Sequence, residues 1–253
     1  MNFNNILFRC SELSNLTTNP QGKEARERGD LSKTTTSYLK EVFIREKFGR
    51  EKMWDTKETT KGKLKEEDSI DLVSTLFPNK LLLKNKERRS NDFITGECDL
   101  VFEVTPGKRI VIDVKTSWDI FTFSGADMVK AYHDQLQGYM WLWDADSAVL
   151  AYCLVDTPEH QITDELYRKG FSYDPDEYTD QIKYDIAKNM IVTRDFFEVM
   201  RSAHFPEAAN SSFIEVPAED RIKTFKVERD PNFEQLITDR VVKCREILNE
   251  MTL

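Results

Sequence analysis

Two stretches in the middle of the chain alternate apolar and polar residues. Residues 97–104 (ECDLVFEV) and 109–117 (RIVIDVKTS) flank Thr105-Pro106-Gly107-Lys108. This pattern predicts two strands joined by a tight turn, because Pro presets φ and Gly accepts positive φ. Upstream the period becomes helical. Leu39, Val42, Phe43 and Glu46 follow it from Ser32, and Gly49 is the expected stop. A second helix is expected over residues 61–77, with Leu64, Ile70, Val73 and Phe77 as its apolar positions and Pro78 beyond it. Residues 18–36 are polar and Thr-rich and predict a loop. Leu81, Leu82 and Leu83 predict a short strand. Downstream, residues 126–143 predict a long buried helix and residues 148–156 an apolar strand. Acidic helical segments, a strand at 221–227 and a helix near 232–251 complete the pattern. The middle of the chain therefore reads helix, strand, strand, strand, helix, strand, an α/β (α+β) order.

Composition narrows the class. The 253 residues suffice for a sizeable core. Hydrophobic residues make up 40%, and 9 Gly with 8 Pro exclude a low-complexity chain. No apolar run reaches the roughly 18 residues of a membrane span. The start, MNFNNILFRC, has no basic region ahead of a long apolar stretch. A soluble intracellular protein with no membrane partner is expected. Cys10, Cys98, Cys153 and Cys244 are scattered, and His133, His160 and His204 form no H-x-x-x-H pair. Neither a disulfide scaffold nor a zinc site is indicated. The net charge of −9 argues at first against nucleic acid, but it is unevenly spread. Residues 1–90 carry 19 Lys and Arg against 14 Asp and Glu, and residues 91–253 carry 17 against 31. A basic face can bind phosphates on an acidic molecule, since screening acts over roughly 8 Å.

The candidate chemistry lies on the hairpin. Asp113 and Lys115 are two apart on one strand and share a face. A carboxylate there can bind a divalent cation while the ammonium faces an anionic substrate. D-x-K alone is common on exposed strands. Here the strand is strongly apolar, and unpaired buried charge is costly. A metal with a phosphate would compensate it. Asp99 on the neighbouring strand offers a second carboxylate. Gln135 and Tyr139 are four apart on the following helix and share a face. Lys61-Gly62-x-x-x-Glu66-Glu67, taken alone, is an ordinary charged helix start.

In this order the residues resemble the PD-(D/E)XK nuclease superfamily, in its lambda-exonuclease and RecB-like branch of phage recombination exonucleases. That family has G-x-x-x-E on a helix, an Asp on one strand, (D/E)-x-K on the next, and Q-x-x-x-Y on the following helix. Here these are Gly62 and Glu66, Asp99, Asp113 and Lys115, then Gln135 and Tyr139. Phe8-Arg9-Cys10-Ser11 resembles the phosphate-contacting segment of such phage proteins. Two departures stand out. Asp99 follows Gly96-Glu97-Cys98 without the usual Pro, and the second acid is Asp rather than Glu.

The resemblance implies a restriction-endonuclease-like core, a central mixed sheet flanked by helices in the order αβββαβ. It implies one nuclease domain over 1–253, with a helical part at 1–78, a catalytic core at 60–156 and a C-terminal helical extension at 157–253. The implied activity is Mg²⁺-dependent hydrolysis of linear double-stranded DNA, 5′ to 3′, with Mn²⁺ as a substitute. A RecB-like single-strand or structure-specific endonuclease and a silent DNA-binding module are the alternatives. Asp99, Asp113, the Val114 carbonyl and Glu66 are the implied metal ligands. Lys115 would orient the attacking water. Gln135 would hydrogen-bond near Lys115 or the DNA backbone, with Tyr139 as support. Arg9 and Ser11, Arg45 and Arg50, and Lys84, Lys86, Arg88 and Arg89 are the expected DNA contacts. Trp118, Phe121 and Phe123 are candidates for stacking on bases or for core packing. A single-strand annealing protein, a ring-type homotrimer and the host cytoplasm complete the implied setting.

One geometric condition follows. If Val104 pairs with Arg109 around a two-residue Pro106-Gly107 turn, Asp99 stands opposite Val114, and the two acids face opposite ways. Sharing one cleft requires the other register, or a bulge between turn and site.

Overall fold

The computed structural model describes residues 2–53, 55–78, 80–208 and 213–252. The chain begins with a short strand, β1 (Phe8–Arg9), a 3-10 turn (Cys10–Glu12) and two short helices, α1 (Ser14–Thr17) and α2 (Lys23–Glu27). α2 interrupts the expected loop at 18–36. It buries no residue, so no apolar period announced it. α3 (Lys33–Phe48) follows as expected. Ser32 caps it by accepting the Thr35 N–H, an interaction that contributes about 1 kcal/mol, and Gly49 ends it at φ 62°.

The helix expected at 61–77 is two helices, α4 (Lys57–Leu64) and α5 (Glu66–Ser74), broken at Lys65. The break has a steric logic. α4 buries Lys61, and α5 buries Ile70 and Val73. In one continuous helix Lys61 and Ile70 would lie about 180° apart. The strand expected at Leu81–Leu83 is absent. Leu82 alone turns inward, while Leu81 and Leu83 are exposed. The strands before the hairpin are instead β2 (Arg89–Ser90) and β3 (Ile94–Gly96).

The hairpin forms as expected, with β4 (Leu100–Thr105) and β5 (Lys108–Thr116). After it come α6 (Ile120–Ser124), α7 (Lys130–Trp143) and β6 (Ser147–Cys153). The C-terminal part supplies α8 (Glu159–Gly170), α9 (Asp180–Ala187), α10 (Arg194–His204), a 3-10 turn (Ala218–Arg221), β7 (Ile222–Glu228) and α11 (Phe233–Glu250). Among the described residues no helix is long and apolar enough to cross a membrane.

The main sheet has the order β4-β5-β6-β7, with β4 and β7 antiparallel to their neighbours and β5 parallel to β6. A small second sheet has the order β1-β3-β2. Helices flank the main sheet, so the architecture is a mixed α/β one. Alternation along β5 divides the core. Val111 joins Leu39, Phe43, Leu136, Met140 and Val241 on one face. Ile112 joins Ile70, Val73 and Leu100 on the other. A third cluster links Trp118 to α8, α9 and α10 through Ile162, Leu166, Phe197 and Phe205.

α7 lies close against the N-terminal turn because Gly138 permits it. A Cβ there would stand 2.7 Å from Leu13 Cδ1 and 3.0 Å from Cys10 Sγ, both on fully buried side chains. Gly138→Ala should therefore destabilise the fold by about 1–3 kcal/mol through overpacking, against a gain of about 1 kcal/mol in helix propensity. Urea unfolding measures this. An unchanged or raised midpoint would show that the contact yields freely.

Candidate active site

The register of the hairpin meets the condition set by the chemistry. Thr105 pairs with Lys108 around the Pro106-Gly107 turn, and Gly107 has φ 77°. A shift follows between Glu103 and Thr105, after which Glu103 pairs with Arg109 and Leu100 with Ile112. Val104 is the extra residue, a bulge of the kind that re-aims side chains. Continued one step, the register sets Asp99 against Asp113.

Asp99 sits just ahead of β4, and its Oδ2 accepts the Val114 N–H at 2.6 Å. Burial first, and then the Asp113 charge, push its carboxyl up to about 7, although the Val114 hydrogen bond and Lys115 pull the other way. Asp113 is 3% exposed. Its Oδ1 accepts from Gln135 Nε2 at 3.2 Å. Its Oδ2 is buried without a hydrogen bond and lies 2.7 Å from Lys115 Nζ in an ion pair. Burial disfavours the Lys115 ammonium, but the Asp113 and Asp99 charges outweigh it and raise its pKa. The Lys115 ammonium also lies 5.1 Å from the centre of the Tyr132 ring.

Asp99, Lys115 and Tyr132 border a cleft of about 740 Å³, with Asp113 buried behind it, and the lining also includes Gly62, Glu66, Val114, Trp118 and Tyr152. Glu66 opens α5 and reaches the cleft, but Lys84 Nζ pairs with it there. Among the described residues no three acids, Cys or His gather as a ready metal cluster. The set that does converge is all oxygen: Asp99 and Asp113 carboxylates, with Val114 beside them. The buried Asp113 Oδ2 is held by the Lys115 ammonium alone. Two carboxylates crowded enough to raise the pKa of Asp99, with such an oxygen between them, suit a hard divalent cation that keeps several waters.

Several expected roles change. Gln135 is buried, and its Nε2 donates to Asp113 Oδ1, beside the Lys115 ion pair, and, at 2.8 Å, to Tyr139 Oη. It is a positioning residue for Asp113. Tyr139 is buried, and burial with the Asp113 charge raises its phenol pKa, so it stays neutral. Lys84 serves Glu66 rather than an open basic track. Arg45 is held among Glu12, Glu46 and Glu51 and is 16% exposed, so it is withdrawn from the surface. Arg89 pairs with Glu87 and lies over the Trp143 ring. Arg50 and Lys86 are exposed, as a phosphate contact requires. Arg9, Ser11 and Arg88 come together around a second pocket of about 450 Å³, with Gly96 and Tyr139 also on its wall. Trp118 is buried against the C-terminal helices, while Phe121 is largely exposed on α6.

Two residues had not been singled out. Tyr132 lies three positions before Gln135 and seven before Tyr139, so helical spacing alone puts it on the same face of α7. Lys61 looked like part of a charged helix start. It is fully buried, and its Nζ donates to Trp118 O at 2.9 Å and Val155 O at 2.8 Å. Burial lowers its pKa to about 7.

Among solved structures the chain is similar to a phage-related exonuclease from Haemophilus somnus 129PT. Identity is 30% and the TM-score 0.72, over 97% of this chain and 95% of that one. It is also similar to an alkaline exonuclease from Laribacter hongkongensis, at 10% identity and TM-score 0.54, over 96% of this chain and 90% of that one. The same exonuclease in complex with dAMP gives 12% identity and TM-score 0.53, over 96% and 88%. These two likenesses are of fold. No family model and no curated protein matches the chain. The first likeness, with the hairpin just described, shows the family: the chain belongs to the lambda-exonuclease-like branch of the PD-(D/E)XK nucleases. It is a nuclease, with a phage-related exonuclease as its relative.

The crowding at Asp99 gives a pH test on metal-free protein. Its folded pKa lies above its ordinary value of 3.8, so the stability linked to its proton is present at low pH and lost as pH rises through about 7. Asp99→Asn carries no such charge and can keep the Val114 hydrogen bond. In chelator the variant should melt above the parent at pH 8.5, by at least the roughly 2–4 °C that 1 kcal/mol gives at this size. The gap should shrink as pH falls below 7 and close only below about 3.8. A pH-independent gap would show that Asp99 is not a strained acid.

Proposed function

We propose that the chain is a Mg²⁺-dependent exonuclease that hydrolyses linear double-stranded DNA, 5′ to 3′, in phage-type recombination or DNA processing, with Mn²⁺ able to replace Mg²⁺. The observation that carries this reading is the bulged hairpin, which turns Asp99 and Asp113 toward one site beside Lys115. Asp99, Asp113 Oδ2 and the Val114 carbonyl would hold the ion, and Glu66 would contribute once parted from Lys84. A bound divalent ion lowers the pKa of water and neutralises phosphate charge. Lys115 orients the attacking water and stabilises charge growing on the phosphate oxygens, an electrostatic role for a preorganised cation. Gln135 fixes the rotation of the Asp113 carboxylate, leaving Oδ2 toward the site. The pocket of Arg9, Ser11 and Arg88 supports action at ends, since a terminal phosphate there would meet the Ser11 hydroxyl and two guanidiniums, displacing their present partners Glu51 and Glu97. Arg50 and Lys86 would track the duplex backbone. The ring-type homotrimer and hand-over to a single-strand annealing protein rest on the family resemblance.

An end-labelled linear duplex, a nicked circle and a single strand, each with chelator, Mg²⁺ or Mn²⁺, test the reading. Linear duplex should be degraded from its ends, and chelator should stop the reaction. Preferential cutting of circles or single strands would favour the RecB-like alternative. Asp99→Asn and Asp113→Asn should each bring cleavage below detection while duplex binding persists. Retained cleavage in the double variant would refute the assignment.

Lys115→Ala should lower turnover by about 10²–10³-fold, the size of a lost transition-state donor. Divalent-ion binding, read by calorimetry, should survive it. Lys115→Arg should restore little, because a planar guanidinium does not reproduce a compact ammonium. Turnover at the parental rate in the Ala variant would make Lys115 a bystander.

A further inference from the structure

The cleft is lined by two chemically different sets of residues. Glu66, Asp99 and Lys115 are charged. Ala126, Val129, Tyr132 and Tyr152 are apolar or aromatic, with Asp127 between the first two in sequence. Phosphate chemistry needs only the charged set.

The aromatic set is held in place from behind. The Tyr132 and Tyr152 rings meet edge to face at 6.1 Å and 79°. Tyr152 meets Phe225 of β7 in the same way, at 6.1 Å and 82°. Tyr152 Oη donates to Asp127 O at 3.0 Å, which fixes the ring's tip. Tyr132 is half-buried, and its phenol makes no hydrogen bond among the described residues. Its neighbour Val129 is 48% exposed at the N-cap of α7. Trp118 is no alternative platform, because it is buried.

Lys115 joins the two sets. Its ammonium is 2.7 Å from Asp113 Oδ2 and 5.1 Å from the Tyr132 ring centre. A phosphate drawn to Lys115 therefore lies beside Tyr132. A nucleotide is a phosphate with a flat π-surface one sugar away. Every base has that surface, so an aromatic ring can hold any of them, as a processive nuclease requires.

We propose that Tyr132, backed by Tyr152 and Phe225 and flanked by Val129, forms a nucleobase subsite that seats the base of the nucleotide being released. The subsite rests on the nuclease reading. It adds a second point of attachment beyond the phosphate, and it takes any base. Its Tyr132 phenol is free to donate to a base or sugar oxygen.

The test uses the full chain and two short duplexes. One has ordinary termini. In the other the terminal nucleotide of each strand carries an abasic tetrahydrofuran residue. Single-turnover cleavage with Mg²⁺ gives the concentration for half-maximal rate on each. The parent should need about 5- to 150-fold more of the abasic duplex, the range that base–aromatic stacking supplies. Tyr132→Leu, which stays apolar but has no ring, should erase that discrimination by weakening only the ordinary duplex. Tyr132→Phe should keep it. Equal half-saturation of the parent on both duplexes overturns the subsite, and this arm needs no variant to fold. Equal weakening of Tyr132→Leu on both duplexes also overturns it, since the ring would then act only through Lys115. Failure of the nuclease reading looks different: the parent would cut neither duplex.

Discussion

One extra residue in a hairpin decides whether the site exists. Near its turn the hairpin pairs Thr105 with Lys108, and that register, if continued, would set Asp99 against Val114 and part the two acids. Val104 breaks it. Beyond the bulge the register brings Asp99 toward Asp113, at the cost of crowding two carboxylates in a buried place. The rest of the site answers that repulsion. The Val114 N–H points at Asp99, Lys115 at Asp113 Oδ2, and Gln135 at Asp113 Oδ1. Even so, Asp99 is pushed up to about 7. The structure holds its two acids in a state that an added cation would relieve.

Two lysines show how local the electrostatics are. Lys61 is fully buried near the cleft, and Lys115 is half-buried on its lining. Burial disfavours charge on each. Lys115 touches a carboxylate and its pKa rises, while Lys61 touches only main-chain carbonyls and its pKa falls to about 7. Asp156 and Asp119 pull Lys61 back upward without overcoming burial. The difference suits their positions. Lys115 borders the cleft as a firm cation. Lys61 joins α4 to Trp118 and Val155, just past the ends of β5 and β6, and Thr157 Oγ1 binds the same Trp118 carbonyl. Gly62 and Glu66 are thereby held against the strands that carry Asp113 and Lys115.

The motif residues were legible because each is tied to a repeating element. Period two gave the shared face of Asp113 and Lys115, and helical spacing gave that of Gln135 and Tyr139. The need for a bulge was legible from counting, but its place at Val104 was not, since no residue type marks it. Long-range pairing hid the rest. Leu81–Leu83 looks like a strand by composition, yet a strand needs a partner edge, and β3 takes β1 and β2 instead. The break at Lys65 depends on Lys61 being buried, which no helical pattern would assign to a lysine. Lys84 looked like a basic surface because its acidic partner, Glu66, is distant in sequence, and Arg45 because only the fold adds Glu12 to its near neighbours Glu46 and Glu51.

The C-terminal third carried no motif, yet it fixes the aim of the site. β7 pairs with β6 from Ser147↔Glu228 to Cys153↔Ile222, so β6 becomes an interior strand beside β5. α11 buries Ile237, Val241, Cys244 and Leu248 in the core shared with α3 and α7. α7 is gripped on opposite sides. Gln137 donates to Glu228 O at 2.8 Å and accepts the Asp230 N–H at 2.9 Å. Gln135, about 200° around the helix, donates to Asp113. Gly138 lets the same helix settle against Leu13 and Cys10. A rotation of α7 by a few degrees would have to break the Gln137 bonds or strike Leu13 before it could move the Gln135 amide. The direction of one carboxylate oxygen at the site is thus set by contacts from both termini of the chain, which is why the short motif needs the whole fold around it.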